Sequence, residues 1–90
     1  MKELQKEFIG KGEVSGFKFT QLEATNKAFL YKVQAGGLIY YEVFKRRENT
    51  RYGCVSYPTS KAFGVWAQTT SDYEKALDYF NQYNGGISWH

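Results

Sequence analysis

The feature that most constrains the fold is an alternation of apolar and polar side chains on both sides of the triplet at residues 35–37, Ala-Gly-Gly. The alternating apolar residues are Phe29, Tyr31 and Val33 before the triplet and Ile39, Tyr41 and Val43 after it. A period of two residues is typical of a β-strand, and paired glycines supply the positive φ angles of a tight turn. The pattern therefore predicts an antiparallel hairpin whose second strand covers residues 38–47.

One more strand is predicted on each side of this hairpin. Residues 14–24 alternate with a change of parity between Phe19 and Leu22, as a β-bulge would produce. Residues 51–57 return as a fourth strand that ends at Pro58, since proline does not continue a central strand. Four consecutive strands make an antiparallel meander.

A helix is predicted after the strands. Apolar side chains recur at helical spacing, at Tyr73, Ala76, Leu77, Phe80 and Tyr83. Residues 71–74, Ser-Asp-Tyr-Glu, have the form of a capping box, and the glycines at positions 85 and 86 end the pattern. We expect a helix at residues 72–83. Its predicted contacts are those of Ala76, Leu77 and Phe80 with Ile39, Tyr41 and Val43.

The ninety residues are expected to form one domain of the α+β class, a four-stranded antiparallel meander sheet packed against one C-terminal helix. That domain covers residues 14–84. Residues 1–13 are predicted as an N-terminal arm, which apolar side chains such as Phe8 could still dock onto the body, and residues 85–90 as a C-terminal tail. Residues 59–69 allow two interpretations, a strand from the alternation at 63, 65 and 67, or a short helical turn capped at 59 or 60.

Composition restricts the compartment and the partners. A net charge of +3 permits a polyanionic partner without requiring one. The single cysteine, Cys54, excludes an internal disulfide, which favours a reducing, cytoplasmic location. Residues 1–10 contain no apolar run of signal-peptide length, and no segment has the roughly 20 apolar residues of a membrane-spanning helix. We therefore expect no membrane association.

Three short motifs resemble a known group of sequences. They are residues 41–46 (Tyr-Glu-Val-Phe-Lys-Arg), residues 57–58 (Tyr-Pro) and residues 63–67 (Phe-Gly-Val-Trp-Ala). With the aromatic helix after them, they resemble small uncharacterised ββββα proteins of gut Bacteroidetes, phages and mobile elements. The order of elements is also similar to one PUR-type repeat, a topological likeness with no matching motif, which implies curved sheets that bind single-stranded nucleic acid. Neither resemblance assigns an activity or a site residue.

No catalytic, metal or cofactor site is predicted. The one histidine, His90, is the last residue of the sequence, where a general base would be poorly held. Cys54 lies among Tyr52, Val55 and Tyr57, as expected of a small packing residue. One cysteine and one histidine 36 positions apart do not supply the four ligands of a structural zinc site. We therefore expect a protein that is not an enzyme.

The one concentration of charge lies where the third and fourth predicted strands meet. Its cations are Lys45, Arg46, Arg47 and Arg51, with Glu48 opposing them. A cationic loop of this kind can bind phosphates. The alternative is a solvated hairpin end whose charges discourage aggregation between sheet edges.

Aromatic residues occur on both faces of the third predicted strand, whereas one helix covers only one face. Tyr40 and Phe44 fall on the face without the helix. Three explanations are open: they pack against residues 59–69 and Trp66, they meet a second subunit, or they are stacking platforms for bases.

The function predicted from these features is that of a small non-enzymatic binding module. Single-stranded nucleic acid would contact Tyr40 and Phe44 on the sheet face and the cations at positions 45, 46, 47 and 51. The alternative is a homodimeric protein-interaction module of phage or mobile-element origin, which uses the same sheet face to bind itself or another protein.

Overall fold

The computed structural model describes residues 1–85, and the C-terminal residues 86–90, including His90 and most of the predicted tail, lie outside that range. One antiparallel sheet of five strands has the order β1-β2-β3-β4-β7. Its strands are β1 (Glu7–Ile9), β2 (Lys18–Ala24), β3 (Ala28–Ala35), β4 (Leu38–Lys45) and β7 (Ala67–Thr70). The helix α1 (Tyr73–Tyr83) packs on one face of this sheet. The α+β class and the antiparallel sheet are confirmed.

The central hairpin forms as the alternation predicts. Strands β3 and β4 pair without interruption from Ala28 opposite Lys45 to Ala35 opposite Leu38. Gly36 takes a φ of 62° at the turn, a left-handed conformation that glycine adopts without steric cost. The register of β2 against β3 shifts between Gln21 and Glu23, so the bulge is confirmed.

The strand beside β4 is not the predicted one. Only Cys54–Val55 of residues 51–57 forms a strand, β6, and it pairs with β5 (Glu48–Asn49) in a separate two-stranded sheet. We call β5, β6 and the turn 50–53 between them the ribbon. The physical reason is a set of aromatic contacts, because the half-buried ring of Tyr57 packs over the sheet against Phe19 and Phe44, at 5.6 and 5.2 Å between ring centroids.

Of the two interpretations of residues 59–69, the short helical turn forms, whereas residues 64–66 of the alternating stretch make a turn and a strand begins only at Ala67. A 3₁₀-helix occupies Ser60–Ala62, and the chain then turns into β7, which pairs antiparallel with β4 from Tyr41 opposite Thr70 to Phe44 opposite Ala67. The sheet position expected for residues 51–57 is therefore held by β7.

The first thirteen residues take part in the sheet. Strand β1 pairs with β2, with Phe8 opposite Phe19, and a short 3₁₀-helix follows at Gly12–Val14. The buried hydroxyl of Tyr31 donates a hydrogen bond to the carbonyl oxygen of Gln5 at 2.6 Å, which attaches the segment before β1 to the centre of the sheet. Of the two possibilities for this segment, the structure has the docked one.

Each face of the sheet has its own core. On the helix face, the buried residues are Ala28, Leu30, Val43, Ala76 and Phe80. On the opposite face, which we call the aromatic face, they are Phe19, Phe29, Tyr31, Val33, Phe44, Val55, Ala62 and Ala67. Since side chains of a strand alternate between faces, the period-two pattern of β3 and β4 supplies both cores.

Two details of the helix differ from the prediction. The cap is Asp72, whose Oδ1 accepts hydrogen bonds from the backbone N–H groups of Glu74 at 2.9 Å and Lys75 at 3.4 Å, because the helix begins one residue later than a cap at position 71 requires. Ile39 is 46 % exposed, so its predicted contact with the helix is wrong. Tyr73, in the first turn of α1, meets Tyr41 at 5.4 Å between ring centroids, and Ile39 lies beyond that point.

Within residues 1–85, no helix combines the length and the apolar character that crossing a bilayer would require.

We expect Phe80→Ala to lower the free energy of unfolding by about 3 to 5 kcal/mol, because it removes a buried ring between α1 and the sheet. Lys75→Ala, at an exposed position of the same helix, is the matched control and should change stability by less than about 0.5 kcal/mol. Urea unfolding followed by circular dichroism measures both. Equal stabilities of the two variants would contradict this core assignment.

Gly10 is the glycine whose replacement should be costly. A Cβ atom there would lie 2.4 Å from the backbone oxygen of Val14 and 2.9 Å from a ring carbon of Phe19. Gly10→Ala should therefore destabilise the protein by about 1 to 3 kcal/mol. Gly37→Ala, where a Cβ meets no atom within 4 Å, is the control that should unfold like the parent in the same urea titration.

Candidate nucleic-acid interface

The four predicted phosphate-binding cations do not form one patch. Lys45 lies at the end of β4 on the helix face, with its Nζ 5.5 Å from the centre of the Tyr83 ring in the last turn of α1. The guanidinium of Arg46 lies toward the aromatic face, 6.0 Å from the centre of the Phe29 ring. Successive residues of an extended chain point to opposite sides, which separates these two charges.

Arg46 is held by carboxylates of the protein itself. Its Nη1 and Nη2 donate to the two carboxylate oxygens of Glu3 at 2.5 and 2.6 Å, and its Nε donates to Glu48 Oε2 at 2.9 Å. The side chain is only 15 % exposed. These hydrogen bonds lower the pKa of Glu3 and raise the pKa of Arg46. Arg46 therefore joins the N-terminal segment to the ribbon and is poorly placed to contact a phosphate.

Arg47 lies beside an aromatic ring on the outside of the molecule. Its side chain is exposed, and its guanidinium carbon is 5.2 Å from the centre of the half-buried Trp66 ring. The carbonyl oxygen of Arg47 accepts a hydrogen bond from the backbone N–H of Ser56 at 2.7 Å, which fixes this end of the ribbon. A cation over the face of an indole is an attractive arrangement that keeps both groups at the surface.

Arg51 and Tyr52 form a second pair of this kind at the turn of the ribbon. The guanidinium carbon of Arg51 is 5.5 Å from the centre of the Tyr52 ring, and Tyr52 is 70 % exposed. The side-chain oxygen of Asn49 accepts hydrogen bonds from the backbone N–H groups of both residues, at 3.1 and 3.3 Å. Asparagine turns of this type hold the chain in a tight reversal, so the two side chains are presented outward.

The predicted role of Phe44 as a base-stacking platform is wrong. Phe44 is fully buried on the aromatic face, where Tyr57 and Trp66 pack against it at 5.2 and 6.4 Å between ring centroids. Tyr40 is half buried, and burial raises the pKa of its hydroxyl. Of the three explanations considered for these rings, packing against the segment that contains Trp66 is the one the structure shows for Phe44.

Tyr52 and Trp66 each lie beside an arginine, and neither ring was predicted to form part of the binding site. A local signal existed for Tyr52, because residues 49–53 (Asn-Thr-Arg-Tyr-Gly) combine an asparagine turn with an adjacent arginine and tyrosine, and Gly53 takes a φ of 63°. No local signal existed for Trp66, which meets Arg47 only because the chain returns to the sheet as β7.

A buried carboxyl group is the other polar feature that the sequence did not single out. Glu42 is 6 % exposed on the aromatic face, and its Oε1 accepts a hydrogen bond from the hydroxyl of Tyr57. Removal from water disfavours the charged form, so burial raises the pKa of Glu42 to about 7. The pair attaches the segment after β6 to β4 in the interior.

Among the side chains that the structure describes, which are those of residues 1–85 without 13 and 60, no three of His, Cys, Asp or Glu are grouped as a metal ion would need. Cys54 is a half-buried free thiol in β6.

Comparison of the chain with protein-family models, with curated proteins and with solved structures found no match. The resemblance to small Bacteroidetes and phage proteins stays a prediction, and the functional argument depends on the side chains of this chain alone.

Glu42 makes stability depend on pH. Its pKa in the folded protein, about 7, lies above the usual 4.5, so the folded state retains a proton that the unfolded state releases. The contribution of Glu42 to the free energy of unfolding should therefore be largest below pH 4.5 and should fall as the pH rises toward 7. One pKa unit corresponds to about 1.4 kcal/mol, so the loss is on the order of 3 kcal/mol.

The substitution Glu42→Gln removes this titration while keeping an oxygen that accepts from Tyr57. We expect urea unfolding between pH 5 and pH 8 to show a fall in stability for the parent and a flatter profile for Glu42→Gln. Glu74→Gln, at an exposed position of α1, is the matched control and should retain the parent's slope. Parallel profiles for parent and Glu42→Gln would contradict the assignment.

Proposed function

We propose that this protein is a non-enzymatic module that binds single-stranded nucleic acid along the ribbon. The observation that carries the proposal is the pair of guanidinium–ring contacts, Arg51 with Tyr52 at the turn of the ribbon and Arg47, the residue before β5, with Trp66. Each pair combines a positive charge for a phosphate with a flat surface for a base, which is the combination used by proteins that bind single strands without strong sequence preference.

The proposal assigns the stacking role to rings other than those predicted from sequence. Tyr52 replaces Phe44 as the principal platform, because it is the more exposed ring and stands beside a cation. Trp66 is the second platform, with its half-buried indole in edge contact with the ring of Phe44 and beside the guanidinium of Arg47. A ring fixed by packing loses little further entropy when a base stacks on it.

Charge supports the same surface. Arg47 and Arg51 are exposed, whereas the nearby Glu48 accepts from Arg46 and so offsets a different cation. Lys2 lies beside the ribbon, because its backbone N–H donates to the carbonyl oxygen of Gly53 at 2.8 Å. Lys45 is near the end of α1 and is not part of this surface.

The test is fluorescence anisotropy of a labelled oligothymidylate at several salt concentrations. Tyr52→Ala should weaken binding by about 1 to 3 kcal/mol and leave the salt dependence unchanged, whereas Tyr52→Phe, which keeps the ring, should bind like the parent. The double variant Arg47→Gln/Arg51→Gln should lower the slope of log affinity against log salt by about 1.4, since each phosphate contact of a single strand contributes about 0.7.

Lys75→Gln, which removes an exposed cation of α1 remote in sequence from the ribbon, is the control for net charge and should retain most of the parent's affinity. Absence of oligonucleotide binding by the parent at low salt would overturn the proposal. Equal binding by Tyr52→Ala and the parent would overturn the stacking role.

The alternative, a homodimeric protein-interaction module, has a different surface in its favour. Leu38 and Ile39 beside the β3–β4 turn are 71 % and 46 % exposed, whereas Phe44, which first suggested an interface, is buried. A concentration-dependent dimer in light scattering that Leu38→Ser abolishes, together with no oligonucleotide binding, would favour this alternative.

A further inference from the structure

An open pocket of about 540 Å³ lies between the N-terminal segment and the ribbon. The residues that line it include Leu4, Phe8, Val14, Phe19, Val55 and Tyr57. Its volume is within the roughly 300 to 1,000 Å³ range typical of small-molecule sites. None of the four residues that form the guanidinium–ring pairs of the proposed nucleic-acid surface lines this pocket, and Lys2 is the one residue named for both surfaces.

Aromatic rings form the floor of the pocket in a defined geometry. The rings of Phe8 and Phe19 stack at 4.7 Å with an interplanar angle of 4°, and Tyr57 stands perpendicular to both, with centroids 5.6 Å apart and an angle of 88°. Phe8 and Tyr57 are only half buried. A fourth ring, supplied by a ligand and placed against these three, would add a stacked or edge-to-face contact and displace water from apolar surface.

Two lysines belong to the exposed part of the lining. They are Lys2 and Lys11. Glu3 is the one carboxylate among the lining residues, and both of its oxygens accept hydrogen bonds from Arg46. An anion at the mouth would therefore meet two lysines and a carboxylate that is already neutralised.

Backbone hydrogen bonds hold the walls in place. The N–H of Val55 donates to the carbonyl oxygen of Lys2 at 2.8 Å, which joins the ribbon to the N-terminal segment. The N–H of Gly10 donates to the carbonyl oxygen of Phe17 at 2.8 Å, which closes the wall that contains Val14. The pocket is thus formed by the fold before any ligand is bound, which reduces the entropy cost of binding.

We infer that this pocket binds a small amphipathic anion, an aromatic carboxylate whose flat body packs on Phe8 and Tyr57 and whose carboxylate faces Lys2 and Lys11. The perpendicular rings favour a flat body over a linear alkyl chain, because ring-on-ring contacts add to the burial of apolar area. The paired lysines favour an anion over a neutral molecule of the same shape.

The probes are 2-naphthoate and its neutral analogue 2-naphthylmethanol, titrated into the ¹⁵N-labelled protein. We expect naphthoate to shift the amide resonances of residues that line the pocket and to slow alkylation of Cys54, the only cysteine of the chain, which also lines it. The neutral analogue should cause the same pattern of shifts with a weaker affinity.

The charge contribution is tested by the double variant Lys2→Gln/Lys11→Gln. Both side chains are exposed, so the variant should fold like the parent. It should weaken naphthoate binding by roughly 3- to 30-fold and leave the affinity for 2-naphthylmethanol unchanged. The control is Lys75→Gln on α1, which also removes one positive charge but lies outside the pocket lining. It should leave both affinities unchanged.

Three results would overturn the inference. If millimolar naphthoate neither shifts the amide resonances of the pocket residues nor slows the alkylation of Cys54, the site is excluded. Equal affinities for naphthoate and 2-naphthylmethanol would exclude recognition of the anion. Tighter binding of dodecanoate than of naphthoate would exclude the preference for a flat body. None of these results depends on whether the ribbon binds an oligonucleotide.

Discussion

The structure depends on how the aromatic face of the sheet is covered from water. Tyr31 and Phe44 stack on adjacent central strands at 5.7 Å between centroids, and both are fully buried although α1 lies on the other face. Burying a large apolar side chain stabilises a fold by about 1.5 to 3 kcal/mol, so leaving this face open would be costly for so small a domain. The chain covers it with the N-terminal segment and with residues 46–66, and Tyr57 contacts rings of both the sheet and the N-terminal segment.

Polar contacts hold the cover in register with the sheet. Tyr31 donates to Gln5, Tyr57 donates to Glu42, and Arg46 bridges Glu3 and Glu48. Each contact joins a covering segment to β3, to β4 or to the residue just after β4. Among residues 1–85, every fully buried side-chain nitrogen or oxygen has a hydrogen-bond partner, which is the condition for burying polar groups at acceptable cost. The raised pKa of Glu42 is the remaining cost of this arrangement.

The segments that cover the aromatic face also form the two candidate binding surfaces, the ribbon and the pocket. Because residues 46–66 cross the sheet instead of extending it, the ribbon stands at the outside with Tyr52 exposed beside Arg51. The gap between the ribbon and the N-terminal segment becomes the pocket over Phe8 and Tyr57. The ribbon contributes to both surfaces, with Cys54 and Val55 of β6 in the pocket and Tyr52 in the turn before β6.

The elements whose signals are local could be predicted from the order of residues alone. The period of two in β3 and β4, the glycine turn between them, the bulge near Leu22 and the spacing of Ala76 and Phe80 all follow from contacts within one element or between sequence neighbours. Only the tertiary structure decided which strand lies beside β4, since residues 51–57 and β7 have similar strand patterns and the sheet has one open edge there. The ring of Tyr57 packs on the aromatic face, where it contacts Phe19 and Phe44, so residues 51–57 do not extend the sheet and β7 pairs with β4 at the edge. The candidate site depends on the same packing. Whether a charged or aromatic side chain is buried or exposed is decided by the segment that covers the aromatic face of the sheet. Phe44 became core, Arg46 became the partner of Glu3, and Trp66 came to lie beside Arg47 from a position 19 residues later in the chain.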